Sequence, residues 1–154
     1  INEGASGSVM AIMNTSAAVG FGSVVKAVPG FAALTSALLG MGGSPLVSEA
    51  VAITTLAGAT GSSSGGMTIA LEALGSKYLE IAQAMHISPE AFHRVATVAS
   101  GGLDSLPHCG AVITLLAVCG LTHKDSYADI GIVTCVIPIL AVAVIVVMGS
   151  LGIV

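Results

Sequence analysis

From Ile130 to Val154 the chain runs 25 positions without a charged side chain. At a rise of about 1.5 Å per residue, a helix of that length crosses a hydrocarbon core about 30 Å thick. The stretch is therefore predicted to be a transmembrane helix. Further uncharged runs cover Gly4–Val25, Ala27–Ser48, Ala50–Leu71 and Ser105–His123, so nearly all of the chain is membrane-length material punctuated by single charges. Hydrophobic residues make up 55% and charged residues 8%, with a mean hydropathy of +1.01. A soluble domain carries about a quarter of its residues charged, so lipid is the solvent expected here, and the chain reads as all-α, polytopic and multi-pass.

The opening Ile1 and the apolar end Gly152-Ile153-Val154, with no basic flank to anchor it, read as the C-terminal part of a longer permease, with residues 1–154 forming one membrane transport region. No charged n-region followed by a cleavage site is expected to direct insertion; the spans would do so themselves. The three cysteines, Cys109, Cys119 and Cys135, lack C-x-x-C spacing and read as buried small hydrophobes.

Several runs are interrupted. Pro29-Gly30 is predicted to close the first with a turn, and Gly40-Met41-Gly42-Gly43-Ser44-Pro45 to break the second. The helix after Glu49 meets Gly61-Ser62-Ser63-Ser64-Gly65-Gly66 and is expected to resume at Met67. Charge gathers between Glu72 and Arg94, and residues 75–94 read as an aqueous loop. Inside it, Ser88-Pro89-Glu90 is a helix start: a capping hydroxyl, a proline whose missing N–H has no intrahelical partner anyway, and a carboxylate that complements the helix dipole. That helix is interrupted by Gly101-Gly102-Leu103-Asp104-Ser105-Leu106-Pro107-His108, after which Cys109–Leu121 forms a second arm. Both arms are too short to span alone, so a re-entrant helical hairpin is predicted. Ser126 and Asp129 have capping-box spacing and are expected to start the final span.

In hydrocarbon an unpaired backbone N–H or C=O costs several kcal/mol, and non-helical backbone survives at that depth only where protein or a watery cavity surrounds it. Half-helix N-termini carry partial positive charge and suit an anion, as in the midplane sites of secondary transporters. A channel could use the same breaks, but the sequence has no carbonyl-filter motif such as T-V-G-Y-G.

Three stretches carry a resemblance to a known family: Ala11 to Lys26 with Met13-Asn14-Thr15-Ser16 and Gly20-Phe21-Gly22-Ser23; Ala57 to Met67; and Ala99 to Thr114 with Gly-Gly-Leu-Asp-Ser-Leu-Pro-His at residues 101–108. Together they resemble the C-terminal third of the gluconate:proton symporter family of bacterial permeases, in the ion transporter superfamily. The resemblance implies half of an inverted-repeat carrier with re-entrant hairpins, a homodimer in the bacterial inner membrane, and import of gluconate or a related small hydroxycarboxylate with protons. Cys109 departs from the family pattern, where Asn is expected.

Asp104 is the candidate proton-coupling residue, because an ionisable group inside the membrane is costly enough to imply a role. His108 could pair with a substrate carboxylate or hold Asp104 by a hydrogen bond. Ser105 lies beside them. Asn14, Thr15 and Ser16 offer amide and hydroxyl groups suited to a sugar acid, and equally to hydrogen bonds between helices. Ser62, Ser63 and Ser64 lie in a glycine-flanked segment that could form substrate-site backbone or a close helix contact. Glu3, Lys26, Glu49 and Glu72 bound the uncharged runs and read as interfacial ends. His86, His93 and His123 lack metal-ligand spacing, so no metal site or cofactor is expected. Asp104, Ser105 and His108 lie too close in sequence for a hydrolytic triad, whose members come from separated elements. No enzyme active site is expected. The partners expected are the bilayer, a proton and a small anionic hydroxycarboxylate, with no nucleic acid. A passive pore and a structural membrane subunit without substrate are the competing classes.

Overall fold

The computed structural model describes residues 27–40 and 43–153, together with positions 5, 8, 9, 12, 13, 16, 17, 20, 23 and 24. Every regular element among the described residues is helical: α1 (Pro29–Leu39), α2 (Pro45–Thr60), α3 (Ser63–Met85), α4 (Pro89–Ser100), α5 (Gly110–Cys119), α6 (His123–Gly131), a π-helical turn (Ile132–Val136) and α7 (Ile137–Ser150).

Proline placement explains three of the starts. Pro29, Pro45 and Pro89 each occupy the first turn of a helix, where the missing N–H costs nothing and the fixed φ is already helical. Pro29-Gly30 thus opens α1, where the sequence pointed to a closing turn. The break at 40–45 holds: α1 ends at Leu39 and α2 begins at Pro45, after Ser44 in an extended conformation. The next break is shorter than expected. Gly61 sits in the left-handed region (φ 61°) and ends α2, with the Ser62 N–H returning to the Ala57 carbonyl (3.2 Å). Glycine is favoured there because it carries no β-carbon to clash. Ser62 then accepts from the Gly65 N–H (3.1 Å) as the N-cap of α3. Ser63, Ser64, Gly65 and Gly66 therefore form the first turn of that helix.

Residues 75–94 are largely helical. They comprise the end of α3 and the start of α4, joined only by His86, Ile87 and Ser88. The Lys77–Glu80 ion pair (3.0 Å) lies exposed on α3. Ser88 caps α4 as expected, accepting from the Glu90 N–H (3.2 Å) while its hydroxyl donates to the Glu90 carboxylate.

Helix α2 is the centre of the molecule. Leu46, Ala50, Ile53, Leu56 and Ala57 are buried on it, and α1, α3, α4 and α7 all pack against it. Its contact with α3 is made main chain to main chain: a β-carbon on Gly66 would lie 2.3 Å from both Cα and N of Ala57. Only glycine fits there, which gives the small-residue reading of this segment a specific contact. From α3 come Ile69, Ala70, Leu74, Tyr78 and Ala82. Along α4, Ala91, Phe92, Val95, Ala96 and Ala99 form a stripe at three- and four-residue spacing, all buried. Glu49 is 2% exposed in the middle of this packing. The reading of Glu49 as an interfacial end is thereby corrected, while Glu72 stands exposed along α3 and Glu3 and Lys26 lie outside the described residues.

From His123 to Ser150 the chain forms one helix of 28 residues, long and apolar enough to cross a bilayer, with a mean hydropathy of 3.0 over its most apolar window and 11% of that window buried. Ile132, Val133, Val136, Ile137, Leu140, Val144 and Val147 point outward. Burying each side chain of this kind is worth about 1.5–3 kcal/mol, so an outer face of this composition suits lipid. The helix starts one turn earlier than expected. Asp125 accepts from the backbone N–H (2.9 Å) and hydroxyl (2.6 Å) of Thr122, and this pair serves as the capping box instead of Ser126 and Asp129. The π turn precedes Pro138, whose ring would press on the carbonyl of Thr134 in a regular α-helix. Widening the turn, with the Ile137 N–H reaching back to the Ile132 carbonyl, makes room for it. Cys109 and Cys135 are buried as expected, but Cys119 is exposed.

Candidate functional site

Two interruptions distant in sequence meet in space. The first is the Gly61-Ser62 junction between α2 and α3, and the second is the 101–109 connection between α4 and α5. A β-carbon on Gly61 would lie 3.3 Å from Cδ2 of His108 and 3.3 Å from Cα of Cys109. One turn earlier, a β-carbon on Gly58 would stand 3.0 Å from Cβ of Leu103. A turn before that, the Thr54 hydroxyl donates to the Ala99 carbonyl at the end of α4 (3.0 Å), and Gly102 has space for a β-carbon only 3.1 Å from the Thr54 methyl. The small side chains of α2 at 54, 58 and 61 thus form a track on which the second break lies.

The second break is also held from its other side. Tyr127 donates its hydroxyl to the Ser105 carbonyl (3.2 Å), and the Nε2–H of His123 donates to the Pro107 carbonyl (2.9 Å). Both donors stand on α6. The Cys109 N–H returns to the Leu106 carbonyl (2.8 Å), closing the turn from within. Backbone carbonyls that leave a helix need such donors wherever water is scarce.

Within this frame Asp104 is half-buried, and its carboxylate accepts from the Ser105 hydroxyl (3.1 Å). His108 is exposed with its ring against Gly61. Among the described residues no hydrogen bond joins His108 to Asp104. Ser62 and Ser63 are half-buried at the start of α3, and Ser64 is exposed, with its hydroxyl 3.5 Å from that of Ser62. Ser62, Ser63 and Ser64 follow Gly61 in the chain, and Ser105 and His108 belong to the connection whose His108 ring lies against Gly61. Ser16 is helical and exposed, whereas Asn14 and Thr15 lie outside the described residues. Among the described residues no three His, Cys, Asp or Glu side chains converge as metal ligands.

Among the described residues the two arms of the expected hairpin pack chiefly on other elements. Helix α4 packs on α2, α3 and α7, while Cys109, Val112 and Leu116 of the α5 arm pack on Tyr127 and Ile130. The sequence missed one titratable group in the interior. Glu49 and Tyr78 border a cavity of about 560 Å³ between α3 and α4, and the only sequence signal for Glu49 was a solitary charge between two apolar runs.

All 154 residues align with a protein of Bacillus subtilis (strain 168) named uncharacterized transporter YxjC, at 51% identity. The chain is similar to part of a bacterial transporter. It spans 33% of that relative's length. No protein-family profile matches the chain, and no solved structure matches it. Helical structure throughout the regular elements of the described residues, with a bilayer-length apolar helix among them, agrees with that likeness, and both point to the membrane.

Proposed function

We propose that the chain is part of a proton-coupled secondary transporter that imports gluconate or a related small hydroxycarboxylate across the bacterial inner membrane. The meeting of two broken-helix junctions at Gly61 and His108 carries this reading. At that point the capped N-terminus of α3 presents N–H groups and serine hydroxyls, and the imidazole of His108 stands against the preceding Gly61. N–H groups and a helix dipole favour a carboxylate, while hydroxyls and imidazole can recognise the hydroxyls of a sugar acid. Asp104, four residues before His108, takes a coupled proton: protonation and substrate binding together favour the conformation that exposes the site to the other side, as linked equilibria require.

In this reading α4, the 101–109 connection and α5 form a re-entrant element, since arms of 12 and 10 residues are too short to cross. The remainder of an inverted-repeat carrier supplies the other half of the site, and two copies form the working homodimer. A transport role, with no catalytic step, agrees with the name of the similar Bacillus protein.

The test is uptake of radiolabelled gluconate by the full-length protein in proteoliposomes, competed by glycerate, D-serine and 3-hydroxybutyrate. Saturable uptake that collapses when the proton gradient is removed supports the symporter. Uptake that neither saturates nor responds to the gradient assigns a pore, and absence of both gluconate uptake and competition removes the substrate class.

A further inference from the structure

The carboxyl of Glu49 is the strangest group in the interior. It is 2% exposed, and its Oε2 atom has no hydrogen-bond partner. Among the described residues no lysine, arginine or histidine forms an ion pair with it. A carboxylate without a counter-ion in such surroundings would cost many kcal/mol, and a group so placed takes up a proton instead. The same side chain borders the cavity of about 560 Å³, whose other walls are apolar apart from a few polar groups: Met67, Leu71 and Tyr78 from α3, with Phe92, His93 and Thr97 from α4.

We propose that Glu49 is a proton-binding site: protonated in this conformation, it exchanges its proton with water through the cavity between α3 and α4. Among the described residues the titratable groups facing it are few. Tyr78 from α3 and His93 from α4 line the cavity with it, and α1 and α7, the other helices on α2, carry no titratable side chain. Tyr78 is buried and hydrogen-bonds with Ser48, whose hydroxyl donates to the Leu38 carbonyl at the end of α1 (2.9 Å), with 3.3 Å between the two hydroxyl oxygens. His93 is exposed. The route for the proton runs from the Glu49 carboxyl to cavity water and out past His93. When the proton leaves, the carboxylate must be hydrated, so release requires the cavity to flood, and a dry cavity keeps the proton in place. Proton occupancy is thereby tied to the spacing of α3 and α4.

The site stands on geometry alone; its part in transport rests on the reading as a proton-coupled carrier. Two measurements on the full-length protein in liposomes keep these apart. Infrared difference spectroscopy reads the carbonyl band of a protonated carboxylic acid directly. The expected result is such a band at neutral pH, unchanged by Asp104→Asn and absent from Glu49→Gln, a near-isosteric variant whose helix content is checked by circular dichroism. Uptake reads the consequence: at zero membrane potential each coupled proton contributes about tenfold in accumulation per pH unit, and Glu49→Gln lowers the accumulation ratio by about that factor. Identical carbonyl spectra for wild type and Glu49→Gln would overturn the proposal. So would a band that Glu49→Gln leaves in place and Asp104→Asn removes. A Glu49-dependent band in a protein that takes up no gluconate establishes the proton site and defeats the gluconate reading.

Discussion

The hydroxyl of Thr54 reaches across from α2 to the carbonyl of Ala99 at a distance of 3.0 Å, tying the centre of α2 to the last turn of α4. The Gly102 N–H donates to the same carbonyl (3.2 Å), so Thr54→Val removes one of two bonds and keeps the shape. The expected cost is about 0.5–1.5 kcal/mol, the net worth of one hydrogen bond, seen as a lower melting temperature in detergent. Unchanged stability would mean that the bond does not hold the 101–109 connection against α2.

Gly66→Ala places a methyl group where Ala57 backbone atoms already stand, at 2.3 Å. Backbone cannot swing aside as a flexible side chain does, so α2 and α3 must separate. The expected loss is at or above the upper end of the range of about 1–3 kcal/mol for overpacking. Glycine at neighbouring position 65 provides a control: its added β-carbon meets Ser62 Oγ at 3.2 Å, a side chain able to rotate. Thermal unfolding of the two variants should rank Gly66→Ala well below Gly65→Ala.

Asp104→Asn should lower proton-driven accumulation by the share of one coupled proton, about tenfold per pH unit at zero membrane potential, while leaving insertion and folding intact, because the amide keeps an acceptor for the Ser105 hydroxyl. Downhill exchange of substrate should survive. Accumulation at the wild-type level would take Asp104 out of the mechanism.

The α4 start provides a pH prediction. The Ser88 hydroxyl beside Glu90 holds its carboxyl below the ordinary value of 4.5, with backbone hydrogen bonding assisting. A carboxyl with a depressed folded-state value contributes stability that is fully present above its unfolded value and is lost as pH falls through the lower, folded one. Amide protection at 90–92, compared between wild type and Glu90→Gln by hydrogen exchange, should therefore differ by a constant factor above pH 4.5, with the difference shrinking only below it. A difference independent of pH throughout the acid range would refute the Ser88–Glu90 interaction.

Where local chemistry decides the structure, the sequence was informative. Ser88-Pro89-Glu90 starts a helix on its own stereochemistry, and the breaks at 40–45 and 101–109 follow from glycine and proline. The uncharged C-terminal run forms the long apolar helix, though two overlapping capping boxes, Thr122 with Asp125 and Ser126 with Asp129, could each start it, and spacing alone does not choose. At 62–66 composition misled, because serines and glycines are poor helix formers until an N-cap and a tight neighbour recruit them. Glu49 was misplaced for a different reason. A lone acid between apolar runs has the same pattern whether it marks the edge of a membrane or sits in a protein interior, and only the helices around α2 distinguish the two. The approach of Gly61 to His108 joins positions far apart in the chain, and no local pattern announces it.

The contact of Gly66 with Ala57 limits how this molecule can move. Two helices locked backbone against backbone travel together, so α2 and α3 must behave as one stiff paddle. A movement of α3 relative to α4 therefore has to carry α2 with it, and must be taken up in the His86–Ser88 link that joins α3 to α4.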